Sequence, residues 1–178
     1  DPLKKFPKKT NKIIFTGKLN SSKGYDVFGK SIIKILDKHK DWKALAIGNE
    51  PREKFNFKHP NFKILDWVNH KKILKYYNNS AISVVPSKWQ EPFGRTAMES
   101  AAAGCATITS TKGGLPETFD NKLFINQVNE DELFKMVNFL IKNKKIRHKH
   151  QQFNWRNVKH KLSDKVKKID NLKNFYLN

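Results

Sequence analysis

The chain has a single cysteine, Cys105, among its 178 residues. No disulfide closes within it, and a multi-cysteine metal site is excluded. A lone thiol fits a reducing compartment. Acids and arginine are also scarce: 16 acidic residues face 36 basic ones, only four of which are arginine (Arg52, Arg95, Arg147 and Arg156). The formal charge of +20 is therefore almost wholly lysine. Surfaces that read bases favour the bidentate fork of arginine, so the shortage weakens a sequence-reading role. No apolar run approaches the ~18–20 residues of a membrane-spanning helix, and no signal-peptide pattern opens the chain. Internal repeats, low-complexity tracts and an Asp-x-Asp motif are all missing. The chain opens on Asp1 rather than Met and is expected to be part of something longer.

The hydrophobic content is ample, at 38% with 13 Phe and 4 Trp, and the length suits one domain. Lysine is accompanied by 18 Asn and 14 Ile, a bias that fits an A+T-rich coding sequence without any partner. The basic residues are densest at Lys4–Lys9 and from Lys142 to Lys168, ends suited to an anionic membrane surface.

Short apolar runs alternate with helical periods. Strands are predicted at 13–16, 42–47, 62–65, 81–85, 106–109 and 123–125, and helices at 26–39, around 71–77 and at 96–103. Beyond Asp131, taken as an N-cap, the chain reads helical to its end. Continuous apolar strands alternating with helices predict an α/β fold: a doubly wound parallel sheet. Residues 1–12 read as a linker or incoming segment, 13–153 as the domain and 154–178 as a C-terminal helix. The four tryptophans read mainly as core or cleft packing. Cys105 reads as a small core residue, and His148 and His150 as a solvated face rather than metal ligands.

Ligands of such folds bind beyond the carboxyl ends of the strands, which directs attention to loops 16–25, 86–96 and 110–118. In the first, Gly17-Lys18 and Lys23-Gly24 offer backbone amides and two point charges to an anion, although two lysines in this chain also read as ordinary surface. In the second, Glu91 and Glu99 stand eight positions apart around Phe93-Gly94-Arg95-Thr96, a helix start whose free N–H groups suit a diphosphate. A plainer reading makes Glu91 a surface acid and Glu99 a helix-dipole partner. The third loop, Gly113-Gly114-Leu115-Pro116-Glu117, again sets glycines at a strand end.

Taken together, Ser87-x-x-x-Glu91-Pro-Phe-Gly-x-x-x-x-Glu99-x-x-Ala102-x-Gly104, the flanking glycine loops and the late Phe153-Asn154-Trp155 resemble retaining glycosyltransferase family 4. The resemblance covers roughly residues 12–160. It implies the second Rossmann-like half of a GT-B enzyme, the half that binds a nucleotide sugar. On this resemblance Lys18 and Lys23 hold the donor diphosphate, and Glu91 contacts hydroxyls of the donor sugar. Glu99 binds the ribose. Gly17 and the amides of Phe93, Gly94, Arg95 and Thr96 lie near sugar and phosphate, and Val68 contacts the base. Lys18 stands where arginine is common and Asp66 where glycine is usual.

The resemblance further implies metal-independent transfer, with no cofactor beyond the nucleotide-diphosphate sugar, and with lysines and helix amides stabilising the leaving phosphate. The acceptor, a glycan or a lipid-linked glycan, is expected on a preceding domain. The enzyme is expected in the cytoplasm, peripheral on the inner face of the membrane and serving envelope glycan synthesis. Two alternatives stand beside it: a basic nucleic-acid-binding module, and an inactive sugar-nucleotide-binding partner.

Overall fold

In the computed structural model, which describes residues 5–118, 120 and 122–158, six strands build one wholly parallel sheet. They are β1 (Thr10–Thr16), β2 (Lys43–Ile47), β3 (Phe62–Leu65), β4 (Ser80–Val85), β5 (Ala106–Ser110) and β6 (Phe124–Ile125), in the order β3-β2-β1-β4-β5-β6. β4 and β5 are buried along their whole length, so both faces are covered and the runs Ser-Ala-Ile-Ser-Val-Val and Ala-Thr-Ile-Thr-Ser show no alternation. β3, on the edge, leaves Lys63 and Ile64 exposed. This is the doubly wound α/β fold that the alternation predicts.

Helices α1 (Tyr25–Lys38) and α5 (Glu130–Lys142) pack together over one face of the sheet. The buried stripe of α1 includes Val27, Phe28, Ile32, Ile35 and Leu36, each worth roughly 1.5–3 kcal/mol when fully buried. Ser31 Oγ donates to the carbonyl of Glu130 at 2.8 Å, which fixes the register of the pair. Helices α2 (His70–Asn79) and α3 (Arg95–Ala102) cover the other face, where Tyr77 donates or accepts a hydrogen bond with Thr16 at the end of β1. Burial pushes the Tyr77 phenol well above its ordinary range. The short α4 (Leu115–Thr118) follows the glycine pair of the third loop.

Several boundaries depart from the sequence reading. β1 starts at Thr10 rather than Ile13, because polar residues of its exposed end still pair in the ladder: Thr10 with Ser80 and Lys12 with Lys43. Residues just before it are held too, since the ring of Phe6 meets those of His148 and Trp155 edge-on at 5.6 and 5.7 Å. α5 is capped by Asn129, not Asp131. The Asn129 side chain accepts from Glu132 N, and the Glu132 carboxylate accepts from the amides of Asn126 and Gln127, leaving Asp131 in the first turn. The helix also stops at Lys142, with a break at Asn143 before α6, described over 144–158. Residues 159–178 of the expected C-terminal helix lie outside the described residues. Trp42 is core, whereas Trp67 and Trp89 are more than half exposed, because both sit in strand-to-helix loops beyond the sheet.

In a parallel sheet the helices run against the strands, so their carbonyl ends gather at the amino edge of the sheet. Buried cations meet them there. Lys9 Nζ donates to the carbonyls of Tyr77 (2.9 Å) and Ala103 (2.6 Å), at the ends of α2 and α3, and Arg147 donates to those of Leu140 and Ile141 in α5. Burial lowers the pKa of both groups. Lys9→Met would strand two carbonyls, each costing about 1–3 kcal/mol, and would relieve part of the cost of a buried ammonium. A net loss of about 2 kcal/mol is expected, read as a lower urea midpoint with an unchanged slope. An unchanged midpoint would show that Lys9 does not hold these helix ends.

Candidate functional site

Strand order reverses direction between β1 and β4, and a crevice opens there beyond their carboxyl ends. It measures about 130 Å³ and is lined by Thr16, Gly17, Lys23, Ser87, Glu91, Arg95 and Thr96 among others. A larger cavity of about 330 Å³ lies at the amino edge, beside Lys9, Arg147 and His148. Its two cations already serve helix carbonyls, whereas the crevice lies at the carboxyl edge where the strand-to-helix loops converge.

The helix caps separate the crevice from the rest of the fold. Asn69 and Asn129 cap α2 and α5 through their side chains. The two helices that begin at the crevice, α1 and α3, have glycine N-caps instead, Gly24 and Gly94, and neither receives a side-chain cap. The first-turn amides of α3 therefore remain available to an anion, with the positive end of its dipole behind them, whereas α1 opens with Tyr25 N donating to Asn20 O and Asp26 paired with Lys88.

Four loops hold this arrangement. The carbonyl of Ser22 accepts from the amides of Lys88 (2.9 Å) and Trp89 (3.0 Å) and from Ser87 Oγ (3.3 Å), which ties the first loop to the second. The approach is close enough that a Cβ on Gly24, whose φ is +72°, would fall 1.9 Å from the carbonyl oxygen of Pro86. The third loop docks on the second: Gly114 N donates to Glu91 O at 2.7 Å, and a Cβ on Gly113 would meet that oxygen at 2.4 Å. Ser110 Oγ donates to Ser87 O, and Thr118 Oγ1 donates to Phe93 O. The fourth loop, 48–57, holds the first from the other side. Asn20, which caps the short 3-10 turn Ser21–Lys23, donates to Glu50, and Ser21 donates to Glu53 through both N and Oγ. The Arg52 guanidinium, forked onto Glu50, holds that carboxyl down at about 2.

Lys23 and Glu91 meet at the crevice, with Nζ 2.5 Å from Oε1. Glu99 faces the start of α2, 3.2 Å from His70 Nε2 and 3.6 Å from Arg95 Nε. Gly17 ends β1 with φ +143°, and Gly94 opens α3. Lys18 is exposed and makes no ion pair among the described residues. Phe93 is half exposed, does not line the crevice, and accepts from Thr118 Oγ1 through its carbonyl. The side chain of Val68 is partly buried against the core cluster beneath α2, and Val68 does not line the crevice. The sequence thus placed Gly17, Lys23, Glu91, Arg95 and Thr96 on one crevice, with Glu99 one helical step away. It missed His70, which carries no signal beyond following an N-cap asparagine. It also missed the Glu50–Arg52–Glu53 clamp, whose only trace is the polar run after Gly48.

Residues 3–154 match the family described as glycosyl transferases group 1. Spore coat protein SA of Bacillus subtilis (strain 168) is 31% identical over 121 residues, spanning 61% of this chain and 32% of that protein. The chain spans about a third of the length of the curated relatives it matches. Among solved structures, the C-terminal domain of the glycosyl transferase group 1 family protein LpcC from Francisella tularensis superposes with a TM-score of 0.71. It is 27% identical, with 85% of each chain covered. Anabaena Alr3699/HepE, solved in complex with UDP-glucose, has the same fold with a TM-score of 0.68 at 14% identity, over 89% of this chain and 49% of that one.

The Glu50 clamp has a pH signature. Its folded pKa lies below the ordinary carboxylate value of 4.5, so its stabilisation is present above that value and is lost as pH falls toward about 2. Glu50→Gln is expected to flatten the fall of the melting temperature between pH 5 and pH 2. Melting curves of wild type and variant that stay parallel over this range would show that the clamp adds nothing.

Proposed function

Because the chain belongs to the glycosyl transferases group 1 family, we propose that its crevice binds the donor of a retaining, metal-independent glycosyl transfer, a nucleotide-diphosphate sugar. The observation that carries the reading is the glycine-capped start of α3, whose Arg95 and Thr96 line one small crevice together with Gly17 and Lys23. Departure of the nucleoside diphosphate places negative charge on phosphate oxygens while the sugar gains positive character. Lys18, Lys23 and the first amides of α3 stabilise that charge. Glu99 lies beyond the α3 start, where it accepts hydrogen bonds from ribose hydroxyls, and Glu91 accepts from the sugar. The backbone at Val68 meets the base. The acceptor, a glycan or lipid-linked glycan, belongs to a preceding domain, so transfer by the 178-residue chain alone is weak or absent.

Nucleic acid is not the expected partner of the positive charge, since Arg52, Arg95 and Arg147 are each engaged within the fold. An anionic membrane surface suits it better. Among the described residues no helix is long and apolar enough to cross a membrane. On α5 and α6, however, Phe139, Ile146 and Phe153 are exposed amid exposed Lys135, Lys142, Lys145 and Lys149. Peripheral attachment to the inner face of a cell membrane, in the service of envelope glycan synthesis, follows.

Titration calorimetry with UDP, ADP and GDP tests the donor site. One of the three is expected to bind, Lys23→Ala to weaken it, and Glu99→Ala to weaken it about tenfold or more, the loss of charge-assisted hydrogen bonds worth ~1.5–3 kcal/mol each. Unchanged affinity in both variants would remove the site from the crevice. Vesicle sedimentation tests the surface: binding is expected to phosphatidylglycerol vesicles at low salt, and not to phosphatidylcholine. Equal partitioning would end the electrostatic part of the proposal.

A further inference from the structure

The ammonium that the donor diphosphate needs is held by a carboxylate of the same crevice. Lys23 Nζ lies 2.5 Å from Glu91 Oε1, with the two side chains 30% and 14% exposed. We infer that Glu91 discriminates between the nucleotide sugar and the nucleoside diphosphate that transfer leaves behind, acting through this ion pair. The inference rests on the donor-site reading above.

The pair forces an exchange. Phosphate oxygens compete with Glu91 for Lys23, and as the ammonium turns to them the carboxylate stands beside a phosphate, mostly shielded from water, with its counter-charge shared or drawn away. A nucleotide sugar offsets that cost, because its sugar presents hydroxyl donors to the same carboxylate. A nucleoside diphosphate brings none. The internal pair therefore penalises the product and spares the donor, which favours release after transfer and capture of the next donor.

The backbone around Glu91 confines the exchange to its side chain. Its carbonyl accepts from Gly114 N at 2.7 Å, and Gly113 lies close against it, where a Cβ would stand 2.4 Å from that carbonyl. Gln90 is committed as well, its Oε1 accepting from Gly113 N at 2.6 Å. The Lys23 main chain is anchored, its amide donating to Asn20 Oδ1, so only the ammonium turns from carboxylate to phosphate. Glu99 lacks this relation to the phosphate ligand, because its partners are His70 and Arg95.

Glu91→Gln keeps the shape of the side chain and removes its charge. In calorimetry with matched pairs (UDP and UDP-glucose, ADP and ADP-glucose, GDP and GDP-mannose), the variant is expected to bind the nucleoside diphosphate about five- to tenfold tighter than wild type. The nucleotide sugar is expected to bind no tighter, so the ratio of the two affinities moves about tenfold toward the product. Glu99→Gln serves as the contrast and should weaken both members of a pair alike. Should Glu91→Gln melt below the assay temperature, Glu91→Asp keeps the charge, shortens its reach and should move the ratio the same way by a smaller factor. A wild type that binds both ligands with a ratio unmoved by either Glu91 variant overturns the inference and leaves the donor site standing. A wild type that binds none of the three nucleoside diphosphates overturns the donor site and the inference together.

Discussion

One carbonyl oxygen, that of Ser22, takes hydrogen bonds from the amides of Lys88 and Trp89 and from the hydroxyl of Ser87. It belongs to the loop after β1, and its donors belong to the loop after β4, so it bridges the two strands between which the sheet order reverses. Everything in the crevice hangs on that bridge. Lys23 is the next residue along one loop, and Glu91 stands two residues beyond Trp89 on the other. Glycine makes the bridge possible, because any side chain at Gly24 would collide with the Pro86 carbonyl.

The same topology divides the work of the charges. At the carboxyl edge two helix starts are left without side-chain caps, and the local acids Glu91 and Glu99 have cationic neighbours in Lys23 and Arg95. At the amino edge the helix ends are neutralised by buried Lys9 and Arg147. A chain with a formal charge of +20 therefore does not present uniform positive charge. Two cations at the amino edge serve helix carbonyls and the crevice holds internal ion pairs, while exposed lysines are spread over the rest of the described surface, from Lys30 and Lys34 of α1 through Lys71 and Lys72 of α2 to Lys142 and Lys145 of α5 and α6.

Much of this was legible in the sequence, for reasons that particular residues make plain. β4 and β5 are buried on both faces, so their apolar runs marked parallel strands without ambiguity. The glycines at 17, 24, 94 and 113 sit where positive φ or close approach requires them, which is why the loops they punctuate meet at the crevice. Where strands fray into polar residues, as at Thr10-Asn11-Lys12, hydrophobicity carried no signal and the start of β1 was missed. The cap of α5 was misplaced because three acids crowd its first turn, and only the reach of Glu132 back to the Asn126 and Gln127 amides distinguishes Asn129. The pairings Lys23–Glu91 and His70–Glu99 join residues 68 and 29 positions apart, and the clamp of loop 48–57 on Asn20 and Ser21 is equally non-local. No local pattern announces such contacts.

The central claim is that a nucleoside diphosphate sits at the reversal point between β1 and β4. Amide chemical-shift mapping of the nitrogen-15-labelled chain, titrated with UDP, ADP and GDP in turn, tests it most directly. The expected result with the nucleotide that binds is a compact set of shifted amides at Gly17, Gly24, Gly94, Arg95 and Thr96, with Gly113 at its margin. Shifts gathered instead around Lys9, Arg147 and His148 at the opposite edge, or none with any of the three, would contradict it.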